Sequence, residues 1–227
     1  MIRYIFFDLD DTIFDFKRAE RIALEKALRE FGIEPTDKIL SRYSEINISQ
    51  WKLLELGRLT REDVKVRRYR LLFDEMGLDL NPEQVTAVYE KNLGIGHYFI
   101  DGAEEMIKAL FGKYHLYIVS NGATVVQESR LASSDIVNYF DGIFISQSVG
   151  FDKPDVRFFE KCFEGIDGFS RENAVIFGDS LSSDIQGGIN ARIKTIWYNP
   201  KGNTAEGIKP DFQINSLTQL PSLIESL

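Results

Sequence analysis

Three features of the sequence predict an α/β protein with a parallel, Rossmann-like sheet covered by helices on both faces. An apolar strand near the start ends in a cluster of acids, the stretch after it is helical throughout, and the second half alternates helix and strand. Alternation implies right-handed βαβ units, and the first strand must join the sheet that they form. The stretch between is then an all-helical, four-helix insertion. This reading divides the chain into a core, residues 1–15 and 94–227, and a cap, residues 16–93.

Each element has its own signal. Tyr4-Ile5-Phe6-Phe7 is aromatic and β-branched, as a buried strand requires. Phe16, Ala19, Ile22, Ala23, Ala27 and Phe31 recur at helical spacing until Gly32. A second helix follows Pro35 and runs to about Leu56, with Gly57 as its stop. Thr60-Arg-Glu-Asp63 has the spacing of a capping box and opens a third helix that ends near Gly77. Asn81-Pro82 supplies a cap and a first-turn proline for the fourth. Gly94 and Gly96 then punctuate the chain. Helices over about 103–111, 124–131, 154–163 and 183–191 alternate with strands Leu116–Val119, Gly142–Ile145, Ala174–Phe177 and Thr195–Tyr198, and a short strand and helix close the chain.

Composition narrows the function. A net charge of −8 without any basic block argues against a nucleic-acid polymer as partner, but leaves room for a small anion met by local positive charge. The single cysteine, Cys162, excludes an internal disulfide, and its apolar helical neighbours Phe158, Phe159 and Phe163 mark it as core filler. No apolar run reaches the length of a membrane span, and the chain opens on a strand instead of a leader-like segment, so a cytoplasmic protein is expected.

The acids after strand one carry the strongest functional signal. Asp8, Asp10 and Asp11 fall within four positions at the end of a buried strand, where crowded carboxylates repel and lone ionised ones are costly. A bound hard cation beside at least one reactive carboxylate explains them most simply. Three further polar clusters follow strands two to four: Ser120-Asn121-Gly122, Lys153-Pro154, and Gly178-Asp179 with Asp184. Parallel strands point their carboxyl ends to one edge, so clusters distant in sequence converge there. Taken singly, the Ser120 cluster reads as a turn, Lys153 as a surface lysine and Asp179 through Asp184 as a helix cap. Asp11 fits simple exposure, His97 and His115 read as structural or surface residues, and Gly187-Gly188 suits close helix packing.

With these motifs, in this order and at strand ends, the chain resembles the haloacid dehalogenase-like hydrolase superfamily over its whole length, its helical insertion being similar to that family's four-helix cap. The resemblance implies an aspartyl phosphate formed on Asp8 and Mg²⁺ held by the Asp8 and Asp179 side chains with the Asp10 backbone carbonyl, Asp184 standing behind them to orient a ligand. Asp10 then protonates the leaving alkoxide and later accepts a proton from water. Dehalogenases of the superfamily lack that acid, because halide needs no proton, so its presence favours phosphoryl transfer. Ser120 and the N–H groups of Asn121 and Gly122 suit an anion cradle at a helix start. Lys153 supplies a point charge to phosphate and nucleophile, and Pro154 keeps its backbone extended.

Specificity is expected from the cap. Asn47 and Trp51 stand at i, i+4 on one helix face, an amide beside an aromatic plane that suits a nucleobase. Trp51 equally suits packing with Leu54 between cap helices. Residues 47–63, 120–131 and 178–191 make the chain similar to the bacterial pyrimidine 5′-nucleotidases of this superfamily that act on noncanonical nucleotides. Phosphatase action on a sugar phosphate, a phosphomutase, and a non-catalytic binding protein on the same fold remain the alternatives.

Overall fold

The structure is a computed structural model and describes residues 1–205 and 207–227. The chain divides into two compact units, Met1–Asp15 with Phe99–Leu227, and Phe16–Tyr98. The division falls at Tyr98, past the glycines at 94 and 96. Gly96 packs on Ala19 of the helical unit so closely that a Cβ there would stand 3.0 Å from the Ala19 Cβ.

In the first unit β1 (Tyr4–Phe7) is buried throughout. The helical unit holds α1 (Phe16–Glu30), α2 (Asp37–Glu55), α3 (Arg61–Met76) and α4 (Pro82–Leu93). Their starts follow local chemistry. Thr36 caps α2 through its hydroxyl, Thr60 and Asp63 form a reciprocal capping box on α3, and the Asn81 side chain caps α4 ahead of Pro82.

The chain then returns to the first unit through α5 (Ala103–Leu110), β2 (His115–Ser120), α6 (Thr124–Ser133), β3 (Gly142–Ile145), α7 (Ser146–Val149), α8 (Val156–Glu164) and β4 (Ala174–Gly178). A π-helical turn at Leu181–Ile185 precedes α9 (Gln186–Ala191), β5 (Lys194–Tyr198), β6 (Phe212–Ile214) and α10 (Leu220–Glu225). The six strands form one all-parallel sheet in the order β3-β2-β1-β4-β5-β6. Strand order reverses about β1, which pairs with β2 on one side and β4 on the other. The crevice of such a sheet opens at that reversal, outside the carboxyl ends.

Both sheet faces are covered. Ile5 and Phe7 point into a cluster with Met106, Leu131, Leu217 and Leu220, whereas Tyr4 and Phe6 point into one with Phe158, Phe159, Cys162 and Ala191. Each fully buried Ile5, Phe6 or Phe7 contributes roughly 1.5–3 kcal/mol. On the second face a Cβ on Gly188 would overlap Ile176 and Thr195, and one on Gly187 would overlap the Phe159 ring, which explains the paired glycines of α9.

Two local expectations shift. The helix expected from Pro154 starts at Val156, because Asp155 accepts a hydrogen bond from the Arg157 N–H and caps it there. The helix expected from Ser183 is preceded by the π-turn, in which the Ile185 N–H reaches back to the Ser180 carbonyl. Among the described residues no helix is long and apolar enough to cross a membrane.

Candidate active site

Four loops meet at the carboxyl edge of β1, β2, β3 and β4. The backbone N–H of Asp8 continues the ladder by donating to the Phe177 carbonyl of β4 at 2.9 Å. The chain then turns sharply. Asp11 adopts the left-handed conformation (φ 58°), and its N–H donates to the Phe14 carbonyl. Half-exposed Asp11 therefore serves the turn, while Asp8 stays buried and the Asp10 side chain is 28% exposed.

Lys153 is fully buried between two acids. Its Nζ donates to Asp8 Oδ1 at 2.7 Å, Asp184 Oδ1 at 2.6 Å and the Val119 carbonyl at 2.8 Å. These use all three ammonium hydrogens. Burial alone would lower this ammonium, but Asp184 and Asp8 hold it well above its usual range. The Asn121 side chain fixes the Lys153 backbone, accepting from its N–H and donating to its carbonyl, both at 2.8 Å.

Asp184 is likewise committed. Its Oδ2 accepts from the Ser180 N–H at 3.0 Å, and the π-turn brings it back over the end of β4. Gly178 makes this possible, since a Cβ there would overlap the Asp184 carboxylate. The peptides on either side of Asp179 are pinned: its N–H donates to Thr12 Oγ1 at 3.1 Å, and its carbonyl accepts from Trp197 Nε1 at 2.8 Å.

Oxygen atoms of Asp8, Asp179 and Asp184 lie within 4.8 Å of one another, a grouping that fits a hard cation. Burial and the nearby Asp184 push Asp8 up to about 8, against the downward pull of Lys153. One ammonium does not balance three carboxylates, and a further cation would complete the site. Asp184 is engaged through both oxygens, by Lys153 and by the Ser180 N–H, whereas Asp8 gives Oδ1 to Lys153.

Gln127 and Arg130 join the site without having been expected there. Arg130 Nη1 donates to Asp10 Oδ1 at 2.5 Å, and Gln127 Nε2 donates to Asp10 Oδ2 at 2.6 Å and to Ser120 Oγ at 2.8 Å. One signal was available. Both are polar residues on the buried stripe of α6, beside Val126 and Leu131. Trp197, which holds the Asp179 carbonyl, gave none, because it stands within the apolar run Ile196-Trp197-Tyr198 of β5.

Outside these loops, His115 pairs with Asp141 and stacks on Tyr4, and His97 Nδ1 lies 3.1 Å from the Ile95 carbonyl. Cys162 is buried, and burial pushes its thiol well up, which suits packing and not nucleophilic attack. Within the helical unit, the Asn47 amide donates to Glu20 at 2.6 Å and accepts from Arg68 at 2.9 Å, so both ends of it are engaged. Trp51 is half-buried, with the Arg61 guanidinium 6.0 Å from its ring centre.

The haloacid dehalogenase-like hydrolase family model matches residues 5–198, a span that takes in all four loops. The chain belongs to this family. Among similar hydrolases of known sequence, YfnB of Bacillus subtilis, named for the same family, is 39% identical over 96% of this chain and 93% of its own. The pyrimidine 5′-nucleotidase PynA of Streptococcus pneumoniae is 38% identical over 87% of this chain and 84% of its own. The pyrimidine 5′-nucleotidase YjjG of Escherichia coli is 28% identical over 97% of both. A crystal structure of YfnB, described as bound to magnesium, superposes with a TM-score of 0.94 at 37% identity, covering 99% of both chains. As a hydrolase of this family, the chain is an enzyme built on the expected parallel-sheet fold.

Proposed function

We propose that this chain is a Mg²⁺-dependent phosphatase of small phosphate monoesters in the cytoplasm, with pyrimidine nucleoside 5′-monophosphates as its principal substrates. The observation that carries the reading is the buried Asp8 carboxylate, grouped with Asp179 and Asp184 in a pocket of excess negative charge. The names of PynA and YjjG support the nucleotide, and the magnesium of YfnB supports the metal. Asp8, Asp179 and the Asp10 carbonyl would hold Mg²⁺, which when bound supplies the positive charge that lets an anionic ester approach Asp8.

The residues divide the reaction. An Asp8 carboxylate oxygen bonds to phosphorus as the ester P–O bond breaks, and Asp10 gives its proton to the leaving alkoxide. Asp10 then takes a proton from water, the water oxygen attacks phosphorus, and the aspartyl phosphate opens to free phosphate and Asp8. Lys153, locked to Asp8, fixes the rotamer of the nucleophile and adds a positive charge that phosphate meets at short range. Ser120 accepts from Gln127, so its own hydroxyl hydrogen is left to donate to phosphate, beside the N–H groups of Asn121 and Gly122. Asp184 aims Lys153. In the cap, Trp51 is the proposed platform for the base, and Asn47 one turn earlier braces the helix that carries it.

A panel of nucleoside monophosphates and sugar phosphates, assayed for phosphate release with and without Mg²⁺, tests this directly. Pyrimidine 5′-monophosphates should lead, and Trp51→Ala should weaken nucleotide selection by roughly 1–3 kcal/mol while sparing an aryl phosphate. Faster turnover of sugar phosphates would remove the nucleotidase assignment and leave the phosphatase. Equal losses on both substrates would make Trp51 a packing residue.

A further inference from the structure

We propose that Gln127 and Arg130 form a positioning pair for Asp10, linking its carboxylate to the phosphate cradle through Ser120; this rests on the reading of Asp10 as acid and base. The pair lies at i, i+3 on the inner face of α6, one turn into the helix that the Ser120–Gly122 turn opens. Arg130 is fully buried, with its guanidinium 5.1 Å over the Phe14 ring. Besides Asp10 Oδ1, its Nη1 donates to Gln127 Oε1 at 2.9 Å. Asp10, Gln127 and Arg130 thus close a triangle, and Gln127 extends it to Ser120.

The triangle has a chemical consequence. Both Asp10 oxygens accept an N–H, Oδ1 from the cationic guanidinium and Oδ2 from the neutral Gln127 amide. The cation favours negative charge on the oxygen that it holds, so Arg130 reserves Oδ1, and the proton delivered to a leaving alkoxide travels on the remaining lone-pair site of Oδ2. Gln127 sets the direction of Oδ2 and, through the same Nε2, the direction of the Ser120 hydroxyl. Phosphate contact and proton delivery are in this way referred to one amide. The glycine of the cradle belongs to this device, because a Cβ on Gly122 would stand only 2.5 Å from Gln127 Cγ. Gly122 is thus required by the space that Gln127 fills as well as by the turn.

The test measures single-turnover phosphorylation of the full-length enzyme with p-nitrophenyl phosphate and with an alkyl ester, glycerol 2-phosphate. An aryl oxide leaves with little help from an acid, and an alkoxide does not. Arg130→Met should slow the alkyl ester about a hundredfold and the aryl ester by less than about fivefold, with the apparent Mg²⁺ affinity unchanged. Arg130→Lys, which restores one donor without the planar fork, should recover part of the loss. In an Asp10→Asn background, Arg130→Met should cost nothing further, since a residue that acts through Asp10 has nothing left to position. Gln127→Leu should reproduce the leaving-group bias and also raise KM several-fold for both esters through Ser120; it serves as the reading if Arg130→Met does not fold. Equal losses on both esters, or an undiminished Arg130→Met effect without Asp10, would overturn the proposal. Wild-type enzyme releasing no phosphate from either ester with Mg²⁺ would instead overturn the phosphatase reading itself.

Discussion

Each of the two units buries a charged cluster, and the clusters differ in balance. In the helical unit Glu20 and Arg68 are joined through Asn47, one anion to one cation, and the guanidinium lies 4.9, 5.2 and 5.7 Å from the Tyr89, Tyr69 and Tyr43 rings. The tyrosine hydroxyls are held well above their usual range by burial and stay neutral beside it. At the sheet edge three carboxylates are grouped, with one ammonium held by two of them, Asp8 and Asp184, and burial with Asp184 drives Asp8 upward. Buried charge by itself therefore marks no active site. Imbalance does, because the excess negative charge is relieved by a proton on Asp8 or by a bound cation, and a cation attracts an anionic substrate.

The largest expected effect is on the unbalanced cluster. Asp8→Asn should reduce turnover by a factor on the order of 10⁴ or more while the far-ultraviolet circular dichroism stays native. Substantial phosphate release by the folded variant would break the comparison at its core, since the imbalance would then serve something other than chemistry. Next in size is Arg68→Met in the balanced cluster. Removing one partner leaves Glu20 and Asn47 buried without it, at a cost of about 3–5 kcal/mol in urea unfolding. A loss below about 1 kcal/mol would show that the helices, not the charges, hold that interior.

The same contrast decides what was legible in the sequence. Asp8, Asp10, Ser120 and Asp179 announce themselves because each stands at or just beyond the end of an apolar strand, and a parallel sheet makes strand ends converge; Lys153 follows β3 after one short helix. Periodicity, with Pro35, Thr60 and Asn81 marking starts, gave the cap helices to within a residue or two, because such signals act locally. Gln127 and Arg130 gave one signal, their place on the stripe of Val126 and Leu131, and were otherwise hidden because only the fold says that this face turns toward Asp10. Glu20 and Arg68 were hidden because only the fold says which face turns inward. Trp197 reads as strand core and its indole N–H bond to Asp179 depends on which loop lies above it. The short helix at Ser146–Val149 has too few residues to show a period.

A smaller effect sharpens the comparison by supplying the missing charge. Mg²⁺ should stabilise the wild-type protein by about 2.7 kcal/mol at a hundredfold excess over its Kd, read as a rise in melting temperature. Asp8→Asn and Asp179→Asn should lose that rise, and Arg68→Met should keep it despite its lower starting point. A rise lost equally in Arg68→Met would mean that the metal reads the state of the whole chain and not the imbalance at the sheet edge.

The smallest effect is a slope with pH. Asp8 stands at about 8 in the folded protein against a usual 3.8, so between those values the folded state keeps a proton that the unfolded chain gives up. Stability from this group is complete below about pH 4 and declines as pH rises toward 8, at no more than about 1.4 kcal/mol per pH unit. Other carboxylates work the opposite way: Asp63, Glu75 and Asp155 are held below their usual range by hydrogen bonds and favour the folded state as they ionise. The quantity to measure is therefore the difference between wild type and Asp8→Asn, in urea unfolding without divalent cations from pH 4 to 8. Wild type should lose stability relative to the variant across that window, and saturating Mg²⁺ should flatten the difference. A metal-free difference that is flat, or that rises with pH, would mean that Lys153 alone satisfies Asp8, and the charge imbalance on which the contrast between the two clusters rests would disappear.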